Sequence, residues 1–165
     1  MLFRSLSVLI TLLMFGCFHP SSTNDKSVSD GNDKPKLTAT LLIKDKFNQE
    51  QDVFLIGEDI TFEIIVTNNS ESDVTYQVTE PGYNFFIIQD EFEIWSAFYN
   101  NFFPGVIVDR TINANESLII SEKWDGKNNE GDSVEPGMYM VTSHLVFFVD
   151  ETLVTVPPSI EITLI

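Results

Sequence analysis

In Ile60-Thr61-Phe62-Glu63-Ile64-Ile65-Val66-Thr67 every even-numbered position is apolar. A period of two puts Ile60, Phe62, Ile64 and Val66 on one face of a strand, whereas a helix would spread them around its axis. The run opens after Gly57-Glu58-Asp59 and closes at Asn68-Asn69-Ser70, both turn-forming clusters. The alternation recurs further on, where Tyr139, Val141, Leu145 and Phe147 share one face and Met140, Thr142 and His144 the other. Near the end, Ile160, Ile162 and Leu164 alternate with Glu161 and Thr163.

Working outward, turn signals fall at Pro81-Gly82, Pro104-Gly105, Asn113-Ala114-Asn115, Asp125-Gly126 and Pro136-Gly137. They predict strands near 37–46, 59–67, 73–79, 84–90, 93–98, 106–112, 117–124, 138–149 and 153–164. Composition agrees: after Gly16 there are 13 Val, 15 Ile and 12 Thr, against three Ala in the whole chain. Side chains that suit a pleated surface dominate, and the best helix former is nearly missing. Eight or nine short strands at this spacing imply an all-β fold, an antiparallel β-sandwich over residues 37–165. Pro157 and Pro158 cannot donate to a ladder, which places the last strand at an edge or on a bulge.

The N-terminus reads differently. Residues 1–16, MLFRSLSVLITLLMFG, carry one charge and an apolar run from Leu6 to Phe15, too short to span a bilayer and suited to a signal peptide. Leu13-Met14-Phe15-Gly16-Cys17 resembles the lipobox of bacterial lipoproteins, with the sole cysteine at the acylated position. Residues 17–36 are then a lipidated cysteine and a polar, disordered tether with a reach of about 25 Å. His19 falls in it, as a solvated side chain. These features predict a lipid-anchored protein of the bacterial envelope. Phe18, rather than an Asp, follows the cysteine, which points to the outer membrane where there is one and otherwise to the outer face of the plasma membrane.

The chain of 165 residues has 25 acidic and 9 basic side chains, a net charge of −16. That disfavours nucleic acid and electrostatic docking on anionic lipid. Membrane contact is then by the lipid anchor only. One cysteine rules out a disulfide framework and a multi-cysteine metal site. The sandwich offers one histidine, His144, on a polar strand face, so neither a nucleophile–histidine pair nor a zinc site is assembled. Asp125-Gly126-Lys127-Asn128-Asn129-Glu130-Gly131-Asp132 is oxygen-rich, but Lys127 and Glu130 stand where a calcium loop needs a ligand and a glycine. Paired acids for glycoside hydrolysis cannot be told from a solvated face. The reading is a monomeric, non-catalytic module with no cofactor, no metal and a protein partner.

Several ordered blocks resemble the intracellular proteinase inhibitor (BsuPI-type) family, an Ig-like β-sandwich. They are Gly57-Glu58, the strand Ile60–Val66, Tyr83-Asn84-Phe85, Ile94-Trp95-Ser96, Asn115-Glu116-Ser117 and Trp124-Asp125, followed by Gly131, Val134 and Pro136-Gly137-Met138-Tyr139. Trp95, Trp124, Gly131, Pro136, Gly137 and Tyr139 form its structural signature here, with Tyr139 acting much like a tyrosine corner. The chain departs from the family in carrying Ala114-Asn115-Glu116 where Pro-Gly-Glu is usual, and Asn84 where Asp is frequent. It also adds an apolar segment, Thr152 to Ile165. The hairpin 124–139 is similar as well to Ig-like modules of the flagellar-hook-cap type. The resemblance implies a proteinase inhibitor with a protease as partner; the alternative is an Ig-like surface or scaffold lipoprotein with no protease target. Candidate partner-binding loops are the aromatic cluster Phe98, Tyr99, Phe102 and Phe103 and the hairpin loop with Asp125, Asn128 and Asn129. An edge strand is the other candidate contact.

Overall fold

The computed structural model describes residues 35–165. The signal peptide (1–16), the Cys17 acylation site and nearly all of the tether (17–36), His19 included, lie outside the described residues. The strands are β1 (Leu37–Lys44), β2 (Val53–Phe54), β3 (Ile60–Asn68), β4 (Val74–Gln89), β5 (Phe92–Ser96), β6 (Ile107–Ile112), β7 (Ser117–Trp124), β8 (Gly137–Val149), β9 (Thr152–Leu153) and β10 (Ile160–Leu164).

Alternation drives the architecture. β3 is the centre of a three-stranded sheet ordered β1-β3-β7, and Ile60, Phe62, Ile64 and Val66 are all buried on its inner face. Antiparallel registers set Leu41 opposite Ile64 and Ile64 opposite Ile120, so three strands contribute to one apolar layer. The second sheet runs β2-β10-β8-β4-β5, with β6 also on β4 and β9 also on β8. Its inner face brings Tyr76, Phe85, Ile87, Tyr139, Val141, Leu145, Phe147 and Ile162 against the first. The two layers form the all-β sandwich that periodicity predicts, of the Ig-like kind that the resemblance implies.

Asn68 ties the layers at one end. Buried at the close of β3, its Nδ2 donates to the carbonyls of Ile112 (3.0 Å), Asn113 (3.0 Å) and Ser72 (2.9 Å), while its Oδ1 accepts from the Ser70 amide. The Asn-Asn-Ser cluster is thus a built turn, as its composition predicts. Asn115 replaces the family's glycine and takes φ +59°, a left-handed turn position that asparagine tolerates.

The structure differs from the predicted strands in three places. Residues 73–79 and 84–90 are one strand, β4, because Pro81-Gly82 bends the chain without reversing it. Glu80-Pro81 is cis, Gly82 has φ +72°, and between Val78↔Phe147 and Tyr83↔Leu145 four residues of β4 face one of β8. That is a bulge, and β8 runs past it on the far side. The first half of β4 holds β6 and the second half β5. The predicted strand 153–164 is split, with Pro157 and Pro158 between β9 and β10. β10 itself is interior, because the unpredicted two-residue β2 lies parallel to it on its outer side.

Candidate functional site

The aromatic loop between β5 and β6 divides into a root and a projection. Its turn is set by two backbone bonds, Tyr99 N–H to the Ser96 carbonyl (3.1 Å) and Asn101 N–H to the Phe98 carbonyl (3.0 Å), with Asn100 at φ +57°. Phe98 turns inward, its ring 5.2 Å from that of Tyr83 and 5.0 Å from that of Phe103. Tyr83 in turn donates from its hydroxyl to Glu122 on the opposite sheet. Phe102 escapes this stack and is 92% exposed, and Tyr99 is 44% exposed. Beside it, Glu80, Pro81, Tyr83, Phe103, Pro104 and Val106 line a groove of about 430 Å³. The loop is therefore anchored at Phe98 and open at Phe102.

The hairpin loop after β7 is ordered by its own polar side chains. Asn128 Oδ1 accepts from the amides of Glu130 (3.0 Å) and Asp132 (2.9 Å), and the Asn128 amide donates to the Asp132 carbonyl. Asn129 turns toward β5: its amide donates to the Ile94 carbonyl at 2.8 Å and its Oδ1 accepts the Ser96 amide at 2.9 Å. Asp125 is exposed and pairs with Lys127. Of the three candidates in this loop, Asn128 and Asn129 hold the loop itself and Asp125 faces solvent. Among the described residues no group of three or more His, Cys, Asp or Glu side chains is placed to hold a metal ion.

Ser96 joins the two loops. Its amide is held by Asn129, its carbonyl by Tyr99, and its Oγ accepts from Asn84 Nδ2 at 2.9 Å. The sequence marks this serine only as the end of the Ile94-Trp95-Ser96 block; its role comes from partners 3, 12 and 33 positions away.

The signature residues support this corner from beneath. Phe62, Trp95 and Trp124 form a three-ring cluster with centroids 6.0–6.4 Å apart, and Tyr139 meets Trp124 edge-on at 6.1 Å. Trp124 Nε1 donates to the Lys127 carbonyl at 2.7 Å, pinning the start of the hairpin loop. The Tyr139 hydroxyl donates to the Glu135 carbonyl at 2.6 Å, four residues upstream, which is the tyrosine-corner bond. Pro136 is exposed at that corner, Gly137 starts β8, and Gly131 takes φ +90° in the loop. His144 is exposed on β8, opposite Asn84.

With this geometry in place, residues 47–147 match the family described as intracellular proteinase inhibitor, BsuPI. The chain belongs to the BsuPI family. The match starts before β2 and stops inside β8, so β1, β9 and β10 lie beyond it. No curated protein matches the chain. Three solved structures are similar to this BsuPI chain. One is an alkylpurine DNA glycosylase from Pseudomonas fluorescens bound to abasic-site DNA, at 12% identity and TM-score 0.40, covering 78% of this chain and 30% of that one. The second is a CARDB domain from Pyrococcus furiosus in complex with di-metal ions, at 12% identity and TM-score 0.40, covering 78% and 91%. The third is a β-glucosidase from Listeria innocua with glucose, at 15% identity and TM-score 0.35, covering 89% and 20%. This chain thus spans under a third of the glycosylase and a fifth of the β-glucosidase.

Proposed function

We propose that this BsuPI chain is a non-catalytic, lipid-anchored proteinase inhibitor of a bacterial envelope, which grips its protease through the aromatic loop with Phe102 as the anchor. The observation that carries the reading is Phe102 itself. A phenylalanine held 92% exposed on a loop whose neighbours are rooted in the sandwich is preorganised to enter a partner's pocket. The hairpin loop supports that placement through Asn129 and Ser96.

The test is titration of envelope proteases with the full chain. Stoichiometric inhibition with the chain left uncut is expected, and Phe102→Ala should weaken it at least tenfold with an unchanged melting temperature. Inhibition of no protease would overturn the reading in favour of an Ig-like surface or scaffold lipoprotein, which the export signal in a family described as intracellular also favours. Cys17→Ser should abolish incorporation of labelled palmitate and release the chain from membranes. Persistent membrane attachment without the cysteine would argue against the anchor.

A further inference from the structure

The two strands that flank the aromatic loop end the same sheet in opposite ways. On one side, β5 is closed: Asn129 fills the place of a neighbouring residue with one amide donated and one accepted. On the other side, β6 pairs with β4 alone among the described residues. The Glu80 amide donates to the Val106 carbonyl, and the register sets Val78 opposite Val108 and Tyr76 opposite Arg110. In an antiparallel ladder bonded pairs alternate, so Val106, Val108 and Arg110 bond to β4. The amides and carbonyls of Ile107, Asp109 and Thr111 therefore point away from the sheet, and those three side chains share its outer face.

The chemistry along that edge is specific. Ile107 is 67% exposed and Val106 52%, and both continue directly from the aromatic loop. Arg110 is paired with Glu80, whereas Asp109 is exposed and has no ion pair among the described residues. We infer that β6 is a strand-accepting edge, which takes an extended segment of the partner in antiparallel pairing, with a basic side chain opposite Asp109 and an apolar one opposite Ile107. Main-chain bonds at Ile107, Asp109 and Thr111 supply the affinity, and the outer-face side chains supply the register. Facing residues share a face, so the segment reads polar, any, basic, any, apolar. The identity of the partner as a protease rests on the proposed function; the edge does not.

The probe is an acetylated, amidated peptide of sequence Ser-Thr-Thr-Lys-Val-Ile-Thr, titrated into the full chain and followed by amide hydrogen exchange. Protection of the Ile107, Asp109 and Thr111 amides by at least tenfold is expected, with the Val108 and Arg110 amides unchanged. Asp109→Pro removes one outward amide without touching the β4 ladder, and should weaken peptide binding at least tenfold. Asp109→Ala keeps the main-chain bond and should lose less. Thr111→Pro serves as the second edge variant should Asp109→Pro fail to fold. No protection of the three amides, or a folded proline variant that binds as the unaltered chain does, overturns the inference. Peptide binding without inhibition of any protease would sink the proposed function and leave the edge standing; inhibition that survives Asp109→Pro would do the reverse.

Discussion

The side-chain oxygen of Asn129 accepts the backbone amide of Ser96 at 2.9 Å, so that one residue of a loop stands in for a missing strand. Its own amide completes the pair on the Ile94 carbonyl. A sheet edge left open is a template for other chains, and here a single asparagine closes it.

Asn129→Ala leaves the Ser96 amide without its acceptor at a buried site. The expected loss is about 1–3 kcal/mol, read as a fall in the urea midpoint with unchanged slope. Sedimentation at rising concentration should also show more self-association than in the unaltered chain. A variant as stable as the parent and no more self-associated would deny Asn129 its closing role.

Burial pushes the phenols of Tyr76, Tyr83 and Tyr139 above their ordinary value of about 10. At Tyr83 the Glu122 carboxylate adds to the effect; at Tyr76 the Arg110 charge opposes it, and at Tyr139 so does a hydrogen bond with Gln89. Folding thus favours the neutral phenol. The stability it contributes is fully present below about pH 10 and is lost as pH rises through the higher folded values. Urea midpoints should hold near pH 8 and fall toward pH 11, less steeply in Tyr139→Phe. That variant should itself lose about 0.5–1.5 kcal/mol at neutral pH with the Glu135 bond. A flat profile into alkali would contradict the assignment.

Gly82→Ala should be the most damaging small change in the chain. The position has φ +72°, and a methyl there would overlap the Val78 side chain and sit 3.1 Å from the Phe147 ring. Left-handed strain and overpacking together predict a loss of more than about 2 kcal/mol. Calorimetry that finds the variant within half that figure would mean the bulge relaxes freely.

Ser143 lies on the inner face of β8 with its hydroxyl buried and without a hydrogen-bond partner among the described residues. Ser143→Ala removes a desolvated polar group and should leave stability unchanged or raise it by up to about 1 kcal/mol. A marked fall in melting temperature would show that the hydroxyl is satisfied.

The strands whose apolar residues keep a period of two, such as β3 and β8, were legible because burial on one face is written directly into alternate positions. The β4 bulge was not, since Pro-Gly carries the same local signal whether the chain reverses or merely bends, and only the register against β8 decides. β2 is two residues long and exists because β10 lies beside it, so no window around Val53 could announce it. In the candidate site, the aromatic richness of 98–103 was plain, but the split between a rooted Phe98 and a free Phe102 depends on Tyr83, which lies on another strand. Asn128 and Asn129 read as loop polar groups; Asn128 closes the loop on Glu130 and Asp132, whereas the inward bonds of Asn129 follow from a partner strand more than thirty residues earlier.

β10 must enter between β2 and β8, and Ile165, directly after it, donates its amide to the Phe54 carbonyl and accepts the Ile56 amide, more than a hundred positions earlier. Closure of so long a loop is entropically slow, and β10 follows both of the strands it joins in chain order. The larger sheet therefore stays unfinished until β10 docks. Until then β8 presents a bare flank, a window during which a holding chaperone has something to hold.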